Sequence, residues 1–126
     1  MSSGNLEHVK QAWKQLEREG HATGMDALFE LCHPECAFRP AASRGEVLHG
    51  VEAARLFFRE QRNAGADIKV SAYSFRQKGE SVEVLGWIRL MGADGVMADS
   101  QGRWTYRFRD GQIVEADYSP ATVAAA

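Results

Sequence analysis

The sequence predicts an α+β domain, with helices packed on one face of a strongly curved, mainly antiparallel sheet. Apolar residues recur at helical spacing through the first half of the chain, and from Ile68 onward the period falls to two in segments rich in β-branched and aromatic residues. Helices first and a meander of strands after place the helices together against the sheet.

Each element has its own signal. Leu6, Val9, Trp13 and Leu16 share one side of a first helix, Glu7, Lys10, Lys14, Glu17 and Arg18 populate the other, and Gly20 supplies its stop. Thr23 with Asp26 resembles a capping box, opening a second, shorter helix along the stripe Met25, Leu28, Phe29 and Cys32 and ending near His33-Pro34. An extended stretch over 36–40 and a loop to Gly50 follow. Val51, Ala54, Phe57 and Phe58 form the third helix, with Arg59 and Arg62 near its C-terminus and Gly65 beyond. Strands are expected over 68–77, 81–91, 96–109 and 113–118, punctuated by Lys78-Gly79, the run from Gly92 to Gly95, and Asp110-Gly111. Ser119-Pro120 reads as the N-cap and first position of a short alanine-rich helix.

The 126 residues make one domain, 1–126, able to bury a core without a metal or disulfide staple. Fifteen Lys and Arg against 17 Asp and Glu leave a net charge of −2, which provides no field for nucleic acid or an anionic membrane. No apolar run approaches a membrane span, and MSSGNLEHVK has neither a basic nor an apolar targeting segment, so a cytoplasmic protein is expected. Cys32 and Cys36 flank His33 in CHPEC, but His8, His21 and His49 are scattered singly and no second ligand pair exists; no metal is expected, and the cysteines read as structural.

In RWTYRFRD, Trp104, Tyr106 and Phe108 share one strand face while Arg103, Thr105, Arg107 and Arg109 share the other. The aromatic face should be buried. The arginine face should meet solvent or a second subunit.

The order of two helices, HPECAFRP, LHGVEAARLFF and strands closing on YRFRDGQIVEADYSP resembles the SnoaL-like branch of the nuclear transport factor 2-like superfamily, over 6–120. The resemblance implies a cystatin-like cone, a strongly curved sheet wrapped around three helices and enclosing a hydrophobic pocket, usually in a homodimer. It implies a small apolar or aromatic ligand, no cofactor, and a pocket wall drawn from Trp13, Phe38, Phe58, Trp87, Trp104, Tyr106, Phe108 and Tyr118. The same container serves isomerases, cyclases, hydrolases, dehydratases and inert adaptors, so it does not fix an activity.

Positions used by relatives narrow the chemistry. Where ketosteroid isomerase needs a carboxylate base and two oxyanion donors, this chain resembles it in place but holds Pro40, Trp104 and Trp13. Where epoxide hydrolase relatives use an Asp-Arg-Asp set, Arg89 is present and Met91 replaces a carboxylate. ADYSP resembles the last-strand segment in which SnoaL-type cyclases place an acid/base, which nominates Asp117. Its strand is one residue shorter than in those relatives, so a bulge after Ile113 is expected to be the condition for an inward Asp117. His49, an imidazole just before the third helix, is the other acid/base candidate, with Arg89 as a cationic partner. Three readings follow: a binder of a small apolar molecule, an enzyme of cyclase, isomerase or hydrolase type, and a dimerising module with a filled cone.

Overall fold

A computed structural model of the chain describes residues 2–41 and 46–121. The order is α1 (Ser2–Glu19), α2 (His21–Gly24), α3 (Asp26–Glu30), β1 (Cys32–Arg39), β2 (Leu48–His49), α4 (Val51–Asn63), β3 (Asp67–Lys78), β4 (Ser81–Met91), β5 (Met97–Arg109) and β6 (Gln112–Pro120). One sheet holds all six strands in the order β2-β1-β6-β5-β4-β3, antiparallel throughout except for the parallel β1–β6 pair. This is the expected α+β architecture of helices on a curved, mainly antiparallel sheet.

The three helical regions are present, the second as two short pieces, α2 and α3, that meet at Met25. Gly20, at φ 78, ends α1 and starts α2, a conformation in which a side chain would be strained. Thr23 does not cap either piece: its hydroxyl instead donates to the Glu19 carbonyl at 3.4 Å, and Gly20 and Met25 occupy the cap positions. The strand begins at Cys32 rather than after Pro34, because Cys32 pairs with Ile113 of β6. Five residues then separate the Cys32 and Ala37 pairings where β6 advances by only two. Pro34, without an N–H, falls within that irregularity.

The 41–50 segment, expected as loop, contains the two-residue β2, which pairs His49 with Ala37 and Leu48 with Phe38. Ser119 and Pro120 continue β6 opposite Arg103 and Gly102 instead of opening a helix. The expected alanine-rich helix otherwise falls on 122–126, outside the described residues.

The helices lie against the inner face of the sheet. Trp13, Leu16, Leu28, Val82, Val84, Ile88 and Ile113 are almost wholly inaccessible and form its centre, joined by Trp104, Tyr106 and Phe108 as the period of β5 requires. Besides that between β1 and β6, two further irregularities bend the sheet, one between Ala72 and Ser74 in β3 and one between β5 and β6. No described helix is long and apolar enough to cross a membrane.

Candidate functional site

The walls of the cone leave an interior cavity of about 40 Å³. Leu16 of α1, His21 of α2, Phe58 of α4, Phe38 of β1, Trp104 and Tyr106 of β5 and Tyr118 of β6 converge on it. At its rim stand Arg39, Pro40, Ala41 and Asp117. The aromatic rings are locked to one another: Trp104 meets Trp13 edge-on at 4.8 Å and Tyr118 at 5.3 Å. Behind the wall, Trp13 Nε1 donates to the Tyr106 hydroxyl at 3.0 Å. Burial raises the Tyr106 phenol above its ordinary range despite that hydrogen bond, so it stays protonated.

The register of β6 decides what faces inward. Ile113 lies opposite Phe108 on the inner face, and the next pair is Glu115 with Arg107, so Val114 is an extra residue on β6. Beyond this bulge Ala116 opposes Tyr106, Asp117 opposes Thr105 and Tyr118 opposes Trp104. Opposed residues of an antiparallel pair share a face, which turns Ala116 and Tyr118 inward and gives Asp117 the side of Thr105. The expected bulge is therefore present, but it acts in the reverse sense, since straight alternation from Ile113 would have carried Asp117 inward. Asp117 touches the cavity only at its rim, where its carboxylate accepts from Arg39 at 2.8 Å and its side chain is 38% exposed.

The other acid/base candidates are apart from it. His49 is exposed on β2. Arg89 is on the outer face of the sheet, bound in a two-pronged ion pair to Asp99 at 2.7 and 3.0 Å. Each partner stabilises the other's charge, raising the Arg89 value and lowering that of Asp99. Asp117, His49 and Arg89 share no cavity.

Of the expected pocket residues, Phe38, Phe58, Trp104, Tyr106 and Tyr118 line the cavity. Trp13 and Phe108 are buried behind it. Trp87 is 53% exposed on the outer face, opposite Ser71 and Gln101, because the alternation of β4 turns its neighbours Gly86 and Ile88 inward and Trp87 away. The two cysteines are buried and unbridged. Interaction with the Cys36 thiol, then burial, hold the Cys32 thiol far above its ordinary range, as a neutral packing group.

A buried titratable residue of the cavity wall escaped the sequence reading. His21 is buried, packs on the Phe58 ring at 5.2 Å and has no hydrogen-bond partner for Nδ1 among the described residues. Burial lowers its pKa to about 4, against opposing effects of the Asp67 charge and a hydrogen bond to the Ile68 main chain, so the ring is neutral at physiological pH. The signal was there in the spacing: His21, Met25 and Leu28 stand at i, i+4 and i+7, which puts the imidazole on the same apolar stripe. His21, Met25 and Phe58 also border a polar groove of about 410 Å³ containing Arg55, Arg59 and Arg62, and thus separate groove from cavity.

Residues 11–116 match the SnoaL-like domain. The chain belongs to the SnoaL-like family and has the nuclear transport factor 2-like fold. Solved SnoaL-like and related folds cover it almost end to end. Bal32a, from a soil-derived mobile gene cassette, is 17% identical, with 94% of this chain and 89% of that one aligned and a TM-score of 0.75. TerC, co-crystallised with polyporic acid, is 18% identical over 95% and 93% of the two chains with a TM-score of 0.72. A candidate SnoaL-like polyketide cyclase from Jannaschia Sp. CCS1 is 20% identical over 94% and 85%, with a TM-score of 0.67. Likeness at these identities is likeness of fold. No curated protein matches the chain.

Proposed function

We propose that this SnoaL-like domain binds a small apolar or aromatic molecule in the interior of its cone. The observation that carries the reading is the convergence of Trp104, Tyr106, Tyr118, Phe38 and Phe58 on one space, where a largely apolar wall meets a few polar groups. TerC, of the same fold, has been crystallised with polyporic acid, which supports an aromatic ligand. At about 40 Å³ the space is well below the roughly 150 Å³ that accommodates benzene in an engineered core. Binding therefore displaces side chains, and unbranched Met25 is the most adaptable of those in the wall.

A binder is favoured over an acid/base enzyme by the ion pair of Asp117 with Arg39, since a carboxylate engaged by a guanidinium on the Thr105 side is not directed at a bound molecule. A homodimer through the outer face of the sheet is proposed alongside, supported by exposed Trp87, Tyr73 and Met97. The test is an NMR titration with polyporic acid and simple aromatics, read at the indole N–H signals. Trp104 should shift on binding and Trp87, on the other face, should not. An unmoved Trp104 across the panel at millimolar ligand would reject the pocket and leave the filled cone.

A further inference from the structure

We propose that His21 is the polar anchor of this cavity and selects ligands that carry a hydroxyl donor, such as a phenol, an enol or an undissociated carboxylic acid. The inference rests on the pocket reading above and names the chemistry that the pocket recognises. A buried polar nitrogen is costly without a partner, and Nδ1 of His21 is closed to bulk solvent with no partner among the described residues. His21 is one of the residues that line the cavity, which sets an occupant against its ring.

The form of the ring sets what that occupant must offer. The neutral imidazole of His21 carries one N–H and one lone pair, and Nδ1 is the ring atom left without a partner among the described residues. A hydroxyl meets Nδ1 in either tautomer, donating to its lone pair or accepting its N–H, whereas an ether or a carbonyl can only accept. The direction of Nδ1 is fixed, because the ring is wedged against Phe58 at 5.2 Å and issues from the first residue after Gly20, whose φ of 78 sets the path of the chain there. Leu16, Leu28 and Ile68 of the cavity wall carry no side-chain hydrogen-bonding group to compete with it.

Phenol and anisole test this on the full chain, because they differ by one methyl group that removes the donor. Apolar transfer alone favours anisole. With His21 as anchor, phenol binds the wild type about tenfold more tightly than anisole, the order expected when a buried polar atom gains or lacks its hydrogen bond. In spectra of protein labelled with nitrogen-15 histidine, the Nδ1 signal of His21 moves on adding phenol and not anisole. His21→Phe, which keeps an aromatic ring on Phe58, should bind both with near-equal affinity. Equal affinity in the wild type with an unmoved His21 signal means that water alone serves Nδ1, and overturns the anchor while the pocket stands. Binding of neither compound at Trp104 overturns the pocket reading and the anchor with it. If His21→Phe fails to fold, the two wild-type measurements still decide.

Discussion

Trp13 and Tyr106 keep their polar atoms in a dry wall by pairing with each other: the indole N–H donates to the phenol oxygen at 3.0 Å, and both residues are buried. Tyr106→Phe would leave the Trp13 N–H without this acceptor, so a loss of about 1–3 kcal/mol is expected in denaturant unfolding. A change within a few tenths of a kcal/mol would mean that the bond contributes nothing. Trp104→Ala should cost less than the roughly 3–5 kcal/mol of a sealed-core deletion, because Trp104 borders a space that water can enter. His21 brings a pH dependence with a definite sign. Its folded value of about 4 lies below the ordinary 6.5, so the unfolded chain takes up the proton first as pH falls. The stability due to the neutral ring is complete above about pH 6.5 and disappears as pH drops through the window to about 4. Between about pH 7.5 and about pH 5 this amounts to about 2 kcal/mol. Urea melts of wild type and His21→Phe should diverge in slope across that window, and parallel pH profiles would contradict a buried neutral imidazole.

Among the elements, α1, α4 and the long strands were legible because each carries a long periodic pattern ended by glycine, and β4 begins and ends at the expected residues. The short pieces were not. The break at Met25 and the two-residue β2 depend on tertiary partners, Leu48 and His49 forming a strand only because Phe38 and Ala37 are there to pair. The β6 bulge was anticipated from length, but its sense was not, since alternation does not say whether Ile113 starts inside or outside. Glycines inside strands mark where close approach is required. A Cβ on Gly86 would lie 2.5 Å from the Ser71 carbonyl oxygen and 2.9 Å from the Ala72 Cα, all main chain beside the β3 irregularity. A Cβ on Gly102 would meet the Tyr118 and Trp104 side chains instead. Backbone cannot give way as a ring can, so Gly86→Ala should be the more destabilising, by about 2–3 kcal/mol against about 1 for Gly102→Ala. The reverse order in chemical denaturation would contradict the register described for β3 and β4.

At the scale of the molecule, composition and motif order were enough for the container, whereas its contents depended on parity and burial that one sequence does not display. Trp87 is the clearest case: an indole looks like pocket wall until the alternation of β4 sends it outward. That same outward turn bears on assembly. The arginine stripe expected to meet a second subunit is largely engaged within the chain, Arg107 with Glu115 at 2.6 Å and Arg103 with buried Glu83 at 3.3 Å. The outer face also leaves large apolar side chains uncovered: Trp87, Tyr73 and Met97, all more than half exposed, with Val96 in the adjoining turn. Such side chains are the usual centre of a self-complementary interface, while ion pairs at its edge govern orientation and add little affinity. Light scattering at tens of micromolar protein should therefore report about twice the chain mass. Trp87→Lys should lower it to that of one chain with the fold intact by circular dichroism, and Arg107→Glu should leave the dimer in place. A wild-type monomer would reject the assembly, and a Trp87→Lys dimer would move the interface away from this face.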